Sequence, residues 1–129
     1  VVLPLLETDL VDVAQAVINN NLADLNIEWK EKTAVCVIMA SGGYPIEYEK
    51  GKEITGIKEA EAAEEIIVFQ AGTRLAGDKL LTDGGRVLAV TALGDGFEEV
   101  IEKAYAAAEK INFADFHIRN DIGHKALKK

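Results

Sequence analysis

The sequence is poor in the residues that build disulfides and metal sites. Among its 129 residues there is one cysteine, Cys36, and there are two histidines, His117 and His124. A single cysteine cannot form a disulfide within the chain, which suits a reducing compartment, so we expect a cytoplasmic protein. Neither histidine has a ligand-like spacing to the other or to Cys36. The sequence therefore predicts no metal site.

Positive charge is also scarce. The chain has 14 lysines and arginines against 22 aspartates and glutamates, and its formal net charge is -8. Phosphate backbones and anionic lipid head groups repel such a surface, so we expect no nucleic-acid partner and no membrane partner. No apolar run is long enough to span a bilayer. Small anionic ligands are compatible with this charge, because a few nearby arginines outweigh a distant acidic surface.

Two apolar runs predict strands that are buried on both faces, at residues 33–40 and 87–93. After the second run, an amphipathic pattern predicts a helix over residues 97–110. We expect Asp95 to cap this helix, with Glu98 completing a capping box. Thr8 is the expected cap of a first helix over residues 9–19.

Shorter patterns complete the prediction of the fold. They indicate a short helix at 57–63, a strand at 66–71, a strand at 79–82 after a hairpin turn, and an extended segment at 113–119. Together they predict an α+β domain with a small, mostly antiparallel sheet and flanking helices.

Glycine-rich turns lie next to these strands and carry the main functional signal. Such turns let a ligand approach the backbone, and an arginine beside one offers a fork of donors to a phosphate or carboxylate. We expect the turns to converge at one end of the sheet and to present N–H groups to an anion. The alternative is a purely structural role, as tight turns with an exposed arginine. The candidate substrate-binding residues are Gly42, Gly43, Tyr44, Pro45, Gly84, Gly85 and Arg86.

The sequence Gly94-Asp95-Gly96 begins like a dinucleotide-binding fingerprint. Its third glycine is missing, because Glu99 stands in that position. The pattern therefore predicts no nucleotide site there. No residue of the chain is assigned a catalytic role.

A series of ordered motifs gives a family resemblance that covers essentially the whole chain. The motifs are Ser41-Gly42-Gly43-Tyr44-Pro45, Tyr48-Glu49-Lys50-Gly51, VFQAGT at 68–73, TDGGRVL at 82–88, VTALG at 90–94 and Asp121-Ile122-Gly123. In this order they resemble the C-terminal part of glycinamide ribonucleotide synthetase, or phosphoribosylamine–glycine ligase, a family of the ATP-grasp superfamily.

The resemblance implies a function and a domain division. The family joins glycine to 5-phosphoribosylamine in purine biosynthesis and hydrolyses ATP with Mg²⁺, or alternatively Mn²⁺. Residues 1–29 would be the end of the ATP-grasp domain, including its last helix. Residues 30–129 would be the C-terminal domain, similar to a small antiparallel rudimentary hybrid domain, and the sugar phosphate is the natural ligand of its turns.

The resemblance also implies that the chain is a fragment. The family's nucleotide and metal ligands lie upstream of the position that matches Val1. We therefore expect the chain alone to bind neither ATP nor metal and to be inactive without its partners, the N-terminal and ATP-grasp parts of the enzyme. Two alternatives stay open, namely a noncatalytic interaction module and a separate subunit that completes an enzyme in trans.

Several positions depart from the family pattern. Gln70 replaces a usual histidine, His124 a common tryptophan, and Ile46 a common glycine. Asp83 replaces a usual asparagine, which adds negative charge beside the turn expected to hold the phosphate.

Overall fold

The computed structural model describes residues 1–127 and has a three-stranded antiparallel sheet of order β1-β5-β2 beside a β3–β4 hairpin. The α+β architecture expected from the sequence is confirmed. In chain order the elements are α1 (Val2–Leu5), α2 (Leu10–Ile18), a 3-10 turn (Leu22–Asp24), β1 (Thr33–Ala40), α3 (Ile57–Glu61), β2 (Ile66–Gln70), β3 (Thr73–Ala76), β4 (Lys79–Thr82), β5 (Arg86–Gly94), α4 (Phe97–Ala108) and α5 (His124–Leu127).

Strand β5 lies at the centre of the sheet, and it is buried on both faces as predicted. Val87, Val90 and Ala92 are completely inaccessible to solvent. The same prediction for β1 is wrong for one of its two faces, where Ala34 and Cys36 are half-buried and Ile38 is 39% exposed. Ile38 pairs with Ala89, which in turn pairs with Phe69, and these side chains lie on the sheet face opposite the one that α4 covers.

Helix α4 closes the core by packing on β1 and β5. Val100, Ala104 and Ala108 are at most 1% exposed on its inner face. The prediction that Asp95 caps this helix is wrong, because the N-cap residue is Gly96 and no side chain caps the first turn. Pairing of β5 continues through Gly94, so the chain turns into the helix one residue later than the sequence pattern indicates.

The N-terminal segment is attached to the core more loosely. Asp9, and not Thr8, caps α2, since Asp9 Oδ1 accepts from the N–H of Val11 at 2.8 Å. The Thr8 hydroxyl instead accepts from the N–H of Glu28 at 2.7 Å. Four apolar side chains of α2 are more than half exposed, Val13 is half-buried, and the only buried residue of the helix is Ala16. These exposed side chains are Leu10, Val11, Val17 and Ile18.

The segment after α4, predicted to be extended over residues 113–119, forms no strand and turns at residues 114–115, where Asp115 has a left-handed φ of 58°. The segment after α4 makes two isolated bridges: Asn112 pairs with Thr55, and Ala40 and His117 exchange backbone hydrogen bonds of 2.9 and 2.8 Å. Farther along, the Tyr105 hydroxyl donates to the carbonyl of Arg119 at 2.7 Å and accepts from the N–H of Ile122 at 3.1 Å. Within residues 1–127, no helix has the length and apolar character needed to cross a membrane.

Two fully buried threonines give a test of the core. The Thr91 hydroxyl has no hydrogen-bond partner in the described part of the chain, whereas the Thr82 hydroxyl accepts from the N–H of Lys52 at 3.1 Å. We expect Thr91→Val to leave the free energy of unfolding unchanged or to raise it by up to about 1 kcal/mol, because an unpaired buried hydroxyl is removed. Thr82→Val should lower it by about 1–3 kcal/mol, because Lys52 loses its acceptor. Urea denaturation measures both, and equal losses in the two variants would contradict this account.

Candidate functional site

The turn before β5 is hydrogen-bonded to the end of β1. The backbone N–H of Ser41 donates to the carbonyl of Gly85, and the Ser41 hydroxyl donates to the carbonyl of Gly84, both at 2.8 Å. Ser41 is 3% exposed. These bonds fix the Gly84-Gly85 turn directly against the Gly42-Gly43 turn that follows β1.

The turn after β2 meets the same point. The N–H of Gly72 donates to the carbonyl of Arg86 at 3.0 Å, and the N–H of Asp83 donates to the carbonyl of Gly72 at 2.7 Å. A Cβ atom on Gly72 would lie 2.7 Å from Gly84 Cα, so the two backbones touch. The Gly42-Gly43 and Gly84-Gly85 turns therefore converge at one end of the sheet as expected, and the Gly72-Thr73 turn meets them there.

The turns at Gly42-Gly43, Gly72-Thr73 and Gly84-Gly85 together form a turn cluster, and Tyr44 forms one wall of it. Its ring lies directly on the α-carbon of Gly85, where any Cβ atom would overlap the ring. The ring is 41% exposed and packs edge-to-face on Tyr48, with centroids 5.9 Å apart. Gly43 has a left-handed φ of 88°, and Pro45 follows a cis peptide bond. Tyr44 thus combines a packing contact with an accessible face.

Arg86 is available for an external ligand. Its side chain is exposed, and among residues 1–127 its guanidinium has no carboxylate within 4.0 Å and no hydrogen-bond acceptor. The N–H groups of Gly84 and Gly85 likewise donate to no other group in this part of the chain. Gly84 is half-buried and Gly85 is buried under the Tyr44 ring, so the N–H of Gly84 and the Arg86 guanidinium are the donors best placed for an anion.

Next to the turn cluster is a cleft of about 620 Å³ that the sequence did not indicate. Lys52 Nζ lies there, 19% exposed, 2.6 Å from Asp115 Oδ2 and 3.3 Å from Glu49 Oε2. The hydrogen bond to Asp115 is the main cause that raises the pKa of Lys52 above its ordinary value. Lys52 and Asp115 are 63 residues apart, so no local pattern could join them. The lining residues are Gly42, Gly43, Glu47, Tyr48, Glu49, Lys52 and Asp115.

The acidic side chains around the turn cluster are spread over several segments. No group of three or more His, Cys, Asp or Glu side chains that could hold a metal ion is found in residues 1–127. Three of the acidic side chains near the turn cluster pair with lysines. Asp115 and Glu49 pair with Lys52, and Asp83 pairs with Lys50 at 3.4 Å.

Comparison with known proteins identifies the family. The sequence profile described as "Phosphoribosylglycinamide synthetase, C domain" matches residues 34–125. The chain belongs to this family. A phosphoribosylamine–glycine ligase of Synechocystis sp. is 51% identical over 127 residues, which cover 98% of this chain and 30% of that protein. The bifunctional purine biosynthetic protein of Dictyostelium discoideum is 44% identical over 98% of this chain and 16% of its own length.

A solved structure supports the same assignment. The crystal structure of a phosphoribosylamine–glycine ligase from Thermotoga maritima superposes with a TM-score of 0.60 at 44% sequence identity, and covers 68% of this chain and 21% of that one. The resemblance found in the sequence motifs is thereby confirmed. The chain spans no more than about 30% of the length of the curated relatives named above.

The backbone contact between Gly72 and Gly84 leads to a test of the turn cluster. In Gly72→Ala the new methyl would lie 2.6 Å from the Arg86 carbonyl oxygen and 2.7 Å from Gly84 Cα. These are backbone atoms that cannot move aside alone, so we expect a loss of about 2–3 kcal/mol in the free energy of unfolding.

Gly96→Ala is the matched control, because nothing lies within 4 Å of a Cβ atom there and its φ is -133°. It should cost less than about 1 kcal/mol, the usual scale of an N-cap change. Chemical denaturation of both variants checks the difference, and a smaller loss for Gly72→Ala than for Gly96→Ala would disprove the contact.

Proposed function

We propose that the chain is the C-terminal part of a ligase that joins glycine to 5-phosphoribosylamine and forms glycinamide ribonucleotide, ADP and phosphate in purine biosynthesis. The observation that carries this proposal is the match of the family profile to residues 34–125. Three curated phosphoribosylamine–glycine ligases that are 42 to 51% identical to the chain support it.

The turn cluster is the part of the chain that we assign to the substrate. In this proposal the N–H groups of Gly84 and Gly85 and the guanidinium of Arg86 bind the phosphate of the sugar. The Gly42-Gly43 turn, Tyr44 and Pro45 form an adjoining wall. Support comes from the free donors and from the contact that places the Tyr44 ring on Gly85.

We further propose that residues 1–29 belong to an ATP-grasp domain and residues 30–129 to the C-terminal domain. The more than half-exposed apolar side chains of α2 support this division, since such a stripe normally packs against another element. The first segment is paired within itself, by the bridge between Leu6 and Trp29. ATP and Mg²⁺ or Mn²⁺ would be bound by the N-terminal and ATP-grasp parts, which act with this chain in the cytoplasm.

The chain alone should have no ligase activity. We expect no ADP release with glycine, phosphoribosylamine and Mg-ATP, because phosphoryl transfer needs nucleotide and metal ligands that the proposal places in the other parts of the enzyme. A coupled ADP assay on the pure chain makes the measurement, and substrate-dependent ADP release would refute the expectation.

Adding the remaining part of the Synechocystis ligase to this assay separates the alternatives. Activity that appears on mixing indicates a subunit acting in trans. Binding of the two parts without activity indicates an interaction module.

Arg86 can be tested in a chimera in which this chain replaces the matching 30% of the Synechocystis ligase. Arg86→Ala should lower kcat/KM for phosphoribosylamine about tenfold to hundredfold, since a hydrogen bond to a charged group is worth about 1.5–3 kcal/mol. Arg86→Lys should recover only part of the loss, because an ammonium lacks the two-pronged geometry.

Arg119→Ala is the control for this experiment. Arg119 is also exposed, but it pairs with Asp121 near the end of the chain, so its removal should leave the kinetics unchanged. If Arg86→Ala keeps the wild-type kcat/KM and instead lowers the melting temperature by several degrees, Arg86 has a structural role and the phosphate assignment is wrong.

A further inference from the structure

Strand β2 is an edge of the three-stranded sheet, because it pairs with β5 on one side only. Just beyond β2, the N–H of Ala71 donates to the carbonyl of Val87 at 3.0 Å, in the same register as the strand pair. The odd-numbered residues of this segment therefore make the hydrogen bonds to β5, and the even-numbered ones direct their N–H and carbonyl groups away from the sheet. The outward-facing residues are Ile66, Val68 and Gln70.

The sequence of this edge favours the addition of another strand. Residues 66–70 read IIVFQ, which combines β-branched and aromatic residues and contains no charge and no proline. Short segments of this kind pair with further strands when their backbone edge is open. In addition, Phe69 is 42% exposed on the sheet face opposite α4, so an apolar surface adjoins the edge.

One side chain occupies the middle of the edge. Glu61 is the last residue of α3, and its Oε1 accepts from the outward-facing N–H of Val68 at 3.1 Å. Within residues 1–127 this is the only hydrogen bond of the Glu61 carboxylate, and no lysine, arginine or histidine lies within 4.0 Å of it. Ala60 beside it is completely buried, so α3 is anchored in the core and holds the carboxylate in place.

The strand that fits this edge is the β2 strand of a second copy. Two antiparallel copies related by a two-fold axis at Val68 would pair Val68 with Val68 and Ile66 with Gln70. This arrangement uses the outward-facing groups of all three residues. It also requires the N–H of Val68, so each copy would first have to release its Glu61.

We propose that Glu61 protects the β2 edge by occupying the N–H of Val68, and that the strand it excludes is β2 of a second copy of this chain. A hydrogen bond to a charged group changes an equilibrium about tenfold to hundredfold, which is enough to shift weak self-association. The inference concerns the C-terminal sheet alone and does not depend on the proposed function.

The first experiment measures hydrogen exchange of single backbone amides by NMR in the full 129-residue chain at low concentration. Glu61→Ala should speed exchange of the Val68 amide about tenfold or more, because its acceptor is removed. The Gln70 amide, which also points away from the sheet, should not change. Glu59→Ala is the matched control, since it makes the same change in net charge in the same helix. Unchanged exchange of Val68 in Glu61→Ala would overturn the proposal.

The second experiment measures self-association by analytical ultracentrifugation. Glu61→Ala should tighten dimerisation at least tenfold relative to the wild-type chain, and Glu59→Ala should not. Adding Phe69→Lys to Glu61→Ala should reverse the gain, because a lysine on an edge strand opposes pairing with another strand. Equal gains for the two glutamate variants would show a general charge effect and would overturn the proposal. Glu61→Ala that associates no more than the wild-type chain would do the same.

A third variant separates the hydrogen bond from the charge. Glu61→Gln keeps an oxygen acceptor for the N–H of Val68 and removes the negative charge. Its self-association should lie closer to that of the wild-type chain than to that of Glu61→Ala. Dimerisation as tight as in Glu61→Ala would overturn the assigned role of the hydrogen bond.

Discussion

Antiparallel pairing of β5 with both β1 and β2 is the constraint on which the rest of the structure depends. Both neighbours run opposite to β5, so the ends of β1 and β2 meet the beginning of β5. The register pairs Ala40 with Arg86 and Gln70 with Leu88. The glycine turns that follow β1 and β2 must therefore lie against the Gly84-Gly85 turn, however far apart they are in the sequence.

The sequence alone was sufficient for the features that depend on local pattern. Local pattern predicted the apolar run of β5, the amphipathic helix α4 and the glycine turns, because each of these depends only on residues that are neighbours in the sequence. The Gly84-Gly85 turn indicated that a ligand could approach the backbone, but not that the backbone of Gly72 touches Gly84. The motif order was enough for the family, since several separate stretches had to agree.

Most of the predictions that failed, and the contacts that no pattern indicated, depend on residues that are far apart in the sequence. The exposure of Ile38 depends on which face of the sheet α4 covers, and the pairing of Lys52 with Asp115 depends on how a late segment folds back. The N-cap of α4 is Gly96 and not the predicted Asp95, because the pairing of β5 with β1 continues to Gly94. The cap of the first helix is a local feature that was nevertheless predicted wrongly, since Asp9 and not Thr8 caps it. Nothing in residues 1–127 covers most of the apolar stripe of this helix.

The way Asp83 is held has a consequence for how this site can change in evolution. Its backbone N–H donates to Gly72, while its side chain makes only a long ion pair with Lys50. The shape of this turn is thus determined by main-chain hydrogen bonds and by the contact between Gly72 and Gly84. The charge at its rim comes from the Asp83 side chain, which does not contribute to that shape. Substitution at position 83 can change the electrostatic potential at the rim while the backbone geometry stays fixed, so charge and architecture are free to evolve separately.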